Sequence, residues 1–570
     1  MQARLASLYS PADAFRIHAA LSAMAREYAT LASPVSLSER DALIIAYGDH
    51  VQSPGEAPLQ TLHRVLRTLS LPPNGLHILP FFPYSSDDGF SVIDYEQVDP
   101  ALGTWEDIHQ LSNDYRLMFD AVFNHMSAQS AWFAAFLRGE PPYDRFFITA
   151  DPTKDWSQVV RPRALPLLTP VETVTGPQHV WTTFSADQVD LNVAEPVVLL
   201  ALTQVLLQYV RHGASLIRLD AIAFLWKRAG TTCIHLPETH TVIQIWRDVL
   251  DLAAPHVLLI TETNVPHAEN LSYFGNGFDE AQLVYQFPLP PLIAFSLLTG
   301  DARHLLDWAE SLEPLGGATT FFNFTASHDG VGVRPVAGIL TDAERDQLMQ
   351  AALAHGGHVS YRATSDGSLS PYELNVTYFD LITSPSETAA EPATAVRRFL
   401  ASQAIMLAMI GVPGIYLPSL VGGRNDAEGV IRTGQARSIN RHKYDAADLL
   451  AELADPAALS ARVLAGYRRL LAVRCAEPAF HPHGTQRVHR GDDRVVALER
   501  VSPDGAARVL ALHNISGETV RYPLPAAEWT TAANLLGFSP SPVVDDATIE
   551  LAPFAVVWLK HRHRDPMGLA

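Results

Sequence analysis

Eight short apolar runs punctuate this chain, at 42–47, 77–82, 117–123, 216–220, 257–261, 283–287, 319–324 and 414–417. Each is close to unbroken, not alternating, which is the pattern of a strand covered on both faces. Stretches with helical period, such as 201–210 and 396–409, lie between many of them. Buried strands alternating with helices predict a parallel sheet. Eight such units predict an α/β fold closed into a (β/α)₈ TIM barrel, in preference to an open doubly wound sheet.

Polar and turn-rich stretches divide the remainder. Ser10-Pro11 is a good helix start, because serine can cap and proline suits the first helical position. The spacing predicts an N-terminal helix to about residue 29, within an extension over 1–40 outside the barrel. The barrel is expected over 41–135 and 200–480. Two intervals are too long for simple connections. One, 136–199, follows the third run and is rich in proline and aromatic residues. The other, 330–395, follows the seventh. Insertions of this kind belong to functional loops at the C-terminal face of a barrel. From about 481 to 570, strand-like runs at 494–498, 508–512 and 555–559 are separated by turns such as Ser502-Pro503-Asp504-Gly505, which predicts a small C-terminal β domain.

Composition narrows the function. With 570 residues, 48% of them hydrophobic, the chain can bury a large core and more than one domain. A net charge of −20 argues against bulk binding to nucleic acid or anionic membranes, though local arginines can still receive an anionic substrate. Two cysteines, Cys233 and Cys475, are too sparse for a disulfide framework and fit a reducing compartment. No stretch reaches the roughly 18 apolar residues that a membrane span needs. A cytoplasmic location is the expectation.

Three carboxylates carry the chemical signal. Asp220 ends Ile217-Arg218-Leu219-Asp220, Glu262 ends Leu259-Ile260-Thr261-Glu262, and Asp329 lies shortly after the seventh run in Ser327-His328-Asp329-Gly330. In a TIM barrel these three strand ends share one mouth. A carboxylate is costly next to an apolar core unless something stabilises it. Arg218, two residues before Asp220, points to the same side of the strand and can hold it ionised. Asp87, after the second strand, and Asp120, Asn124 and His125, along and after the third, occupy equivalent places. Paired carboxylates are the usual equipment for glycosidic bond chemistry.

Together, Asp120 to His125, Arg218 to Asp220, Glu262 and His328-Asp329 resemble the α-amylase superfamily of glycoside hydrolases, in the right order and on the right strands. His77-Ile78-Leu79-Pro80-Phe81-Phe82, Gly411-Val412-Pro413-Gly414 and Ile439-Asn440-Arg441-His442 are similar to its sucrose phosphorylase branch. Within that branch, the segments 161–170, 230–240, 261–267 and 370–378 look like the members that phosphorolyse glucosylglycerate. Glu373 and Ser370 depart from sucrose phosphorylases, which carry Gln and Asp there.

The resemblance implies α-retaining phosphorolysis of 2-O-α-D-glucosyl-D-glycerate to α-D-glucose 1-phosphate and D-glycerate. Asp220 is then the nucleophile, Glu262 the general acid and base, and Asp329 the transition-state stabiliser. Asp87, His125 and His328 are expected to bind glucose hydroxyls, with Phe184 and Phe224 lining the pocket and Tyr372 nearby. Arg437 matches the phosphate-binding arginine of the branch, and Arg161, Arg163 and His235 are candidates on the acceptor loops. Glu373 is open between accepting a glycerate hydroxyl and pairing with a loop arginine. No metal and no cofactor are expected, with inorganic phosphate as co-substrate, a small-molecule sugar as partner, and a monomer or homodimer as the assembly. The rival readings are a sucrose 6'-phosphate or sucrose phosphorylase, a hydrolase or transglucosidase on the same barrel, and a non-catalytic amylase-like binding domain.

Overall fold

All eight apolar runs form strands, and the eight close into a parallel barrel. In chain order they are β1 (Leu43–Ala46), β2 (Gly75–Ile78), β3 (Arg116–Ala121), β4 (Ala214–Leu219), β5 (Leu258–Thr261), β6 (Leu283–Tyr285), β7 (Thr320–Asn323) and β8 (Val412–Tyr416). Closure is made by β8, which pairs with both β7 and β1. The strands are buried almost throughout, which explains why their sequences are unbroken and not alternating. The structure is a computed structural model and describes all residues except 30–35, 313–315, 364–367, 539–541, 546 and 562–570. Parts of the expected N-terminal extension, of the interval after β7 and of the terminal β segment therefore lie outside the described residues.

Registers at the C-terminal mouth position the chemistry. Asp120 on β3 is level with Arg218 on β4, and Arg218 is level with Ile260 on β5. The rungs continue one step past the strands. The Asp220 N–H donates to the Ala121 carbonyl at 3.2 Å, and the Glu262 N–H to the Leu219 carbonyl at 3.1 Å. Backbone bonding alone thus sets the two carboxylates side by side on adjacent strands.

The two long intervals fold over this mouth. After β3, Leu168–Thr173 and Gly176–Trp181 form an antiparallel hairpin. After β7, Val331–Gly332, His358–Ala363 and Leu369–Asn375 form a three-stranded antiparallel sheet, with Gly332 level with Glu373. The sequence pattern marked both intervals as insertions and missed these strands, most of which are only partly buried and so leave no unbroken apolar run.

The N-terminal helix spans Pro11–Glu27, with the Ser10 hydroxyl accepting from the Asp13 N–H at 3.2 Å. A second helix, Gln2–Leu8, was not apparent from the sequence. Both helices pack on the outer helices of the barrel, burying Leu5, Ile17 and Leu21 in the same core as the strands. At the other end, Thr485–His489, Val495–Val501, Arg508–Asn514, Val556–Lys560 and Ala533–Asn534 form a five-stranded sheet. Val496 and Leu498 face the main core, while Val495 and Ala497 face a three-stranded sheet behind them. This is the period-two alternation of a sheet packed on both sides. Buried Arg500 ties this sheet to the barrel by donating to the carbonyls of Ala408 and His481, both at 2.9 Å. Cys233 and Cys475 are both buried and unbridged. Among the described residues, no helix is long and apolar enough to cross a membrane.

Leu21 is fully buried, whereas Phe15 on the same helix is 67% exposed. Leu21→Ala is expected to cost about 2–5 kcal/mol in denaturant unfolding. Phe15→Ala should stay within about 0.5 kcal/mol, the range of an ordinary surface substitution.

Candidate active site

A cleft of about 1110 Å³, open to solvent, sits over the barrel mouth. At its floor Arg218, 2% exposed, is surrounded by acids. Its Nη1 donates to Asp220 Oδ1 at 2.7 Å and to Asp120, and its Nη2 lies 3.8 Å from Glu262 Oε2. The Tyr285 and Phe90 rings stand 5.5 and 5.7 Å from its guanidinium carbon. On its far side Asp120 is bonded to the buried His77 at 2.6 Å. Burial opposes the charge on Asp120, but His77 and Arg218 outweigh it and hold the carboxyl down at about 2.

Burial acts on Asp220 and Glu262 in the same direction. Desolvation pushes both carboxyls above their ordinary range, and Arg218 pulls each of them back. Repulsion from Glu262 adds to the rise at Asp220, and repulsion from Asp329 adds to the rise at Glu262. Such a pair resists carrying two negative charges and titrates as a unit. Ala221, with φ of 49°, turns the chain so that its N–H donates to Glu262 Oε2 at 3.0 Å. That oxygen is thereby an acceptor, which leaves Oε1 to carry a proton.

Asp329 sits on the loop after β7. Asn440 Nδ2 donates to the carbonyls of Asp329 and Ser327 at 2.8 and 3.1 Å, and Arg441 Nε to that of His328 at 2.8 Å. Burial opposes its charge, but Arg437, His328 and Arg441 overcome this and hold Asp329 well below the usual carboxylate range. His328 stacks on Phe90, with centroids 4.5 Å apart, and burial pushes its imidazole down to about 3. His125 donates from Nε2 to the Phe90 carbonyl at 2.8 Å, and burial likewise favours its neutral form. The loop carrying His125 is held by the buried Lys227, whose ammonium donates to Asn124 at 2.7 Å and pairs with Asp190. The Phe184 ring lies against His125 at 5.1 Å and edge-on to Phe224 at 5.7 Å. Asp87 and Asp88 both have positive φ, and Asp88 is paired with Arg441 at 2.6 Å.

The cleft wall therefore brings together Asp87, His125, Phe184, Asp220, Phe224, Glu262, His328, Asp329, Tyr372, Glu373, Arg437 and Arg163. Arg218 lies beneath it. Arg161 and His235 stand outside it. Arg161 is half-buried, with Nε and Nη2 free of hydrogen bonds, and His235 bonds Tyr273 at 2.7 Å and Glu269 at 3.1 Å. Arg437 was expected, from the resemblance, to bind phosphate. Its Nη1 pairs with Asp329 at 2.6 Å, and its Nε and Nη2 donate to Glu373 at 3.0 and 2.6 Å. Glu373, whose role the sequence left open, is thus a bidentate partner of Arg437, and it also accepts from the Gly330 N–H at 2.9 Å. Sequence reasoning missed Arg441, which it quoted within a motif and gave no role. It also missed Arg334, whose only signal is its place five residues beyond Asp329.

A family profile described as "Alpha amylase, catalytic domain" matches residues 69–336. The chain is 47% identical over 581 residues to a glucosylglycerate phosphorylase of Spirochaeta thermophila, covering 98% of both chains. It is 54% identical over 452 residues to one from Allomeiothermus silvanus, covering 79% of this chain and 81% of the relative. The chain belongs to the glucosylglycerate phosphorylase family. The loop segments that resembled this family in the sequence therefore pointed to the right one. Among solved structures, sucrose 6F-phosphate phosphorylase from Thermoanaerobacter thermosaccharolyticum superposes with a TM-score of 0.73 at 24% identity, covering 85% of this chain and 96% of that one. That likeness establishes the shared fold.

The raised carboxyl of Glu262 has a consequence for stability. Below the ordinary glutamate value both folded and unfolded chains hold the proton, and there is no penalty. As pH rises through the window up to the raised value, the unfolded chain releases the proton first, so stability falls. Glu262→Gln removes this penalty. Its melting temperature is expected to lie above that of the unsubstituted protein at pH 8, with the gap narrowing towards pH 4, as read by calorimetry.

Proposed function

We propose that the chain catalyses reversible phosphorolysis of 2-O-α-D-glucosyl-D-glycerate to α-D-glucose 1-phosphate and D-glycerate, with retention. The observation that carries this reading is the pair Asp220 and Glu262, set side by side at the ends of adjacent strands over one buried guanidinium, in a cleft with arginines in its wall. The named activity of the relatives supplies the substrate.

In the first displacement an Asp220 carboxylate oxygen attacks the anomeric carbon. Glu262 gives its proton to the departing glycerate oxygen. The pair holds one proton, and for this step it sits on Glu262: Arg218, 2.7 Å from Asp220 Oδ1, favours the negative charge on Asp220, and the bond from Ala221 keeps Glu262 oriented. Asp329, an anion held by Arg437, faces the positive charge that develops on the sugar ring. His125, His328 and Asp87 offer hydrogen bonds to glucose hydroxyls, and the Phe184 and Phe224 rings cover the sugar.

In the second displacement a phosphate oxygen attacks the same carbon and the Asp220–carbon bond breaks. The phosphate proton passes to the Glu262 carboxylate, which restores the starting state. Two inversions give retention. Phosphate serves as co-substrate, and no step calls on a metal or cofactor. The proposed unit for this chemistry is the barrel, with the segments after β3 and β7 forming the acceptor side.

Incubation with phosphate and, in parallel, glucosylglycerate, sucrose and sucrose 6'-phosphate should give glucose 1-phosphate fastest from glucosylglycerate. Free glucose released at equal rate without phosphate would identify a hydrolase, and no turnover of any α-glucoside a binding domain. Glu262→Gln should lower kcat about 10²–10⁴-fold on glucosylglycerate. It should lower glycosylation from α-glucosyl fluoride far less, because fluoride leaves without a proton. Glu373→Gln breaks a charge-assisted fork and is expected to reduce the preference for glucosylglycerate over sucrose. Equal rate ratios before and after that substitution would remove Glu373 from any role in specificity.

A further inference from the structure

The acceptor side of the cleft holds more positive charge than the protein itself neutralises. Arg437 is closed by Asp329 and Glu373, and Arg441 by Asp88. Two other arginines line the cleft, Arg163 and Arg334. Neither guanidinium forms a hydrogen bond or ion pair among the described residues. Arg334 opens the short helical turn Arg334–Val336, directly after the strand Val331–Gly332. The Val333 N–H donates to the Tyr372 carbonyl at 3.1 Å, so the backbone pins Arg334 beside Tyr372. The charges that act on Arg334 do not satisfy it. Arg362 has the same sign, and Glu269 is already bonded to His235 at 3.1 Å. The charge of Arg163 reaches the same tyrosine hydroxyl.

A half-buried guanidinium beside another cation is unfavourable unless an anion completes it. A planar fork of donors also suits both a phosphate and a carboxylate. We propose that Arg334, with Arg163, seats the anionic group of the acceptor: phosphate in one half-reaction and the glycerate carboxylate in the other. Arg437 is left to position Asp329. The inference rests on the phosphorylase reading above and assigns the acceptor's charge to a residue outside the loops that resembled the family. One seat for two anions means that glycerate and phosphate exclude each other.

The test compares the unsubstituted enzyme with Arg334→Gln and Arg334→Lys in three assays. These are the KM for inorganic phosphate with α-glucosyl fluoride as donor, the KM for glucosylglycerate, and phosphate-free hydrolysis of α-glucosyl fluoride. A charged hydrogen bond contributes enough that Arg334→Gln should raise both KM values about 10- to 100-fold. Hydrolysis of the fluoride should stay within about twofold, because neither fluoride release nor attack by water places an anionic acceptor in this seat, and Arg334→Lys should recover only part of the loss, because it restores the charge without the planar fork. Unchanged KM values would overturn the proposal. So would a fall in fluoride hydrolysis matching the loss with phosphate, which would mark a structural role. A change in only one of the two KM values would overturn the shared seat. If the unsubstituted enzyme ignores glucosylglycerate yet its phosphate KM depends on Arg334, the functional reading fails and the phosphate half of the seat stands. An absence of any phosphate-dependent transfer would overturn both.

Discussion

One buried cation organises the barrel mouth. Arg218 sits between Asp120, Asp220 and Glu262, so that a single guanidinium partners acids from three neighbouring strands. Charge taken out of water this thoroughly is stable only if it is matched. The matching is arranged by register, because Asp120 and Arg218 are level across β3 and β4, and Asp220 and Glu262 follow on the next rungs. His77 on β2 completes the set from behind Asp120. Four consecutive strands of the barrel therefore contribute to one electrostatic unit. Its sign pattern separates the acids by function. Asp120 is kept fully ionised and structural, while Asp220 and Glu262 share enough repulsion and desolvation to retain a proton between them.

The frame of this arrangement was legible in the sequence. Strands buried on both faces leave unbroken apolar runs, and a polar residue at the end of such a run stands out. Asp220 and Glu262 were visible for that reason, and Arg218 through the two-residue period of a strand. The family was legible as well, because its loop segments are themselves distinctive. What stayed hidden was produced by contacts between distant segments. Glu373 and Arg437 are 64 positions apart and meet only because a three-stranded sheet and the turn Ala436–Asn440 fold against each other. The helix Gln2–Leu8 carries little periodicity in seven residues and is recognisable chiefly by what it packs on. Arg334 is an ordinary loop arginine until the cleft is assembled around it.

The cleft is divided by how its charges are closed. Around the catalytic carboxylates the charged groups have partners: Asp220 with Arg218, Asp329 with Arg437, Asp88 with Arg441. Neutral His125 and His328 and the aromatic rings complete a wall that is preorganised without ligand. Arg163 and Arg334 stay uncommitted. In the function proposed above, the donor site meets the same glucosyl unit in both directions and gains from rigidity, whereas the acceptor site exchanges a phosphate for a carboxylate and needs charge without a committed counterion.

The fork between Glu373 and Arg437 also bears on how this scaffold can vary. Glu373 is 1% exposed, and replacing either partner alone strands a charge in the wall of the cleft. The loss of one would propagate to Asp329, which depends on the same arginine. The effect of a substitution in the strand Leu369–Asn375 therefore depends on what the turn Ala436–Asn440 carries. Library designs that randomise one of these segments alone would discard, as non-functional, substitutions that are neutral in the right company.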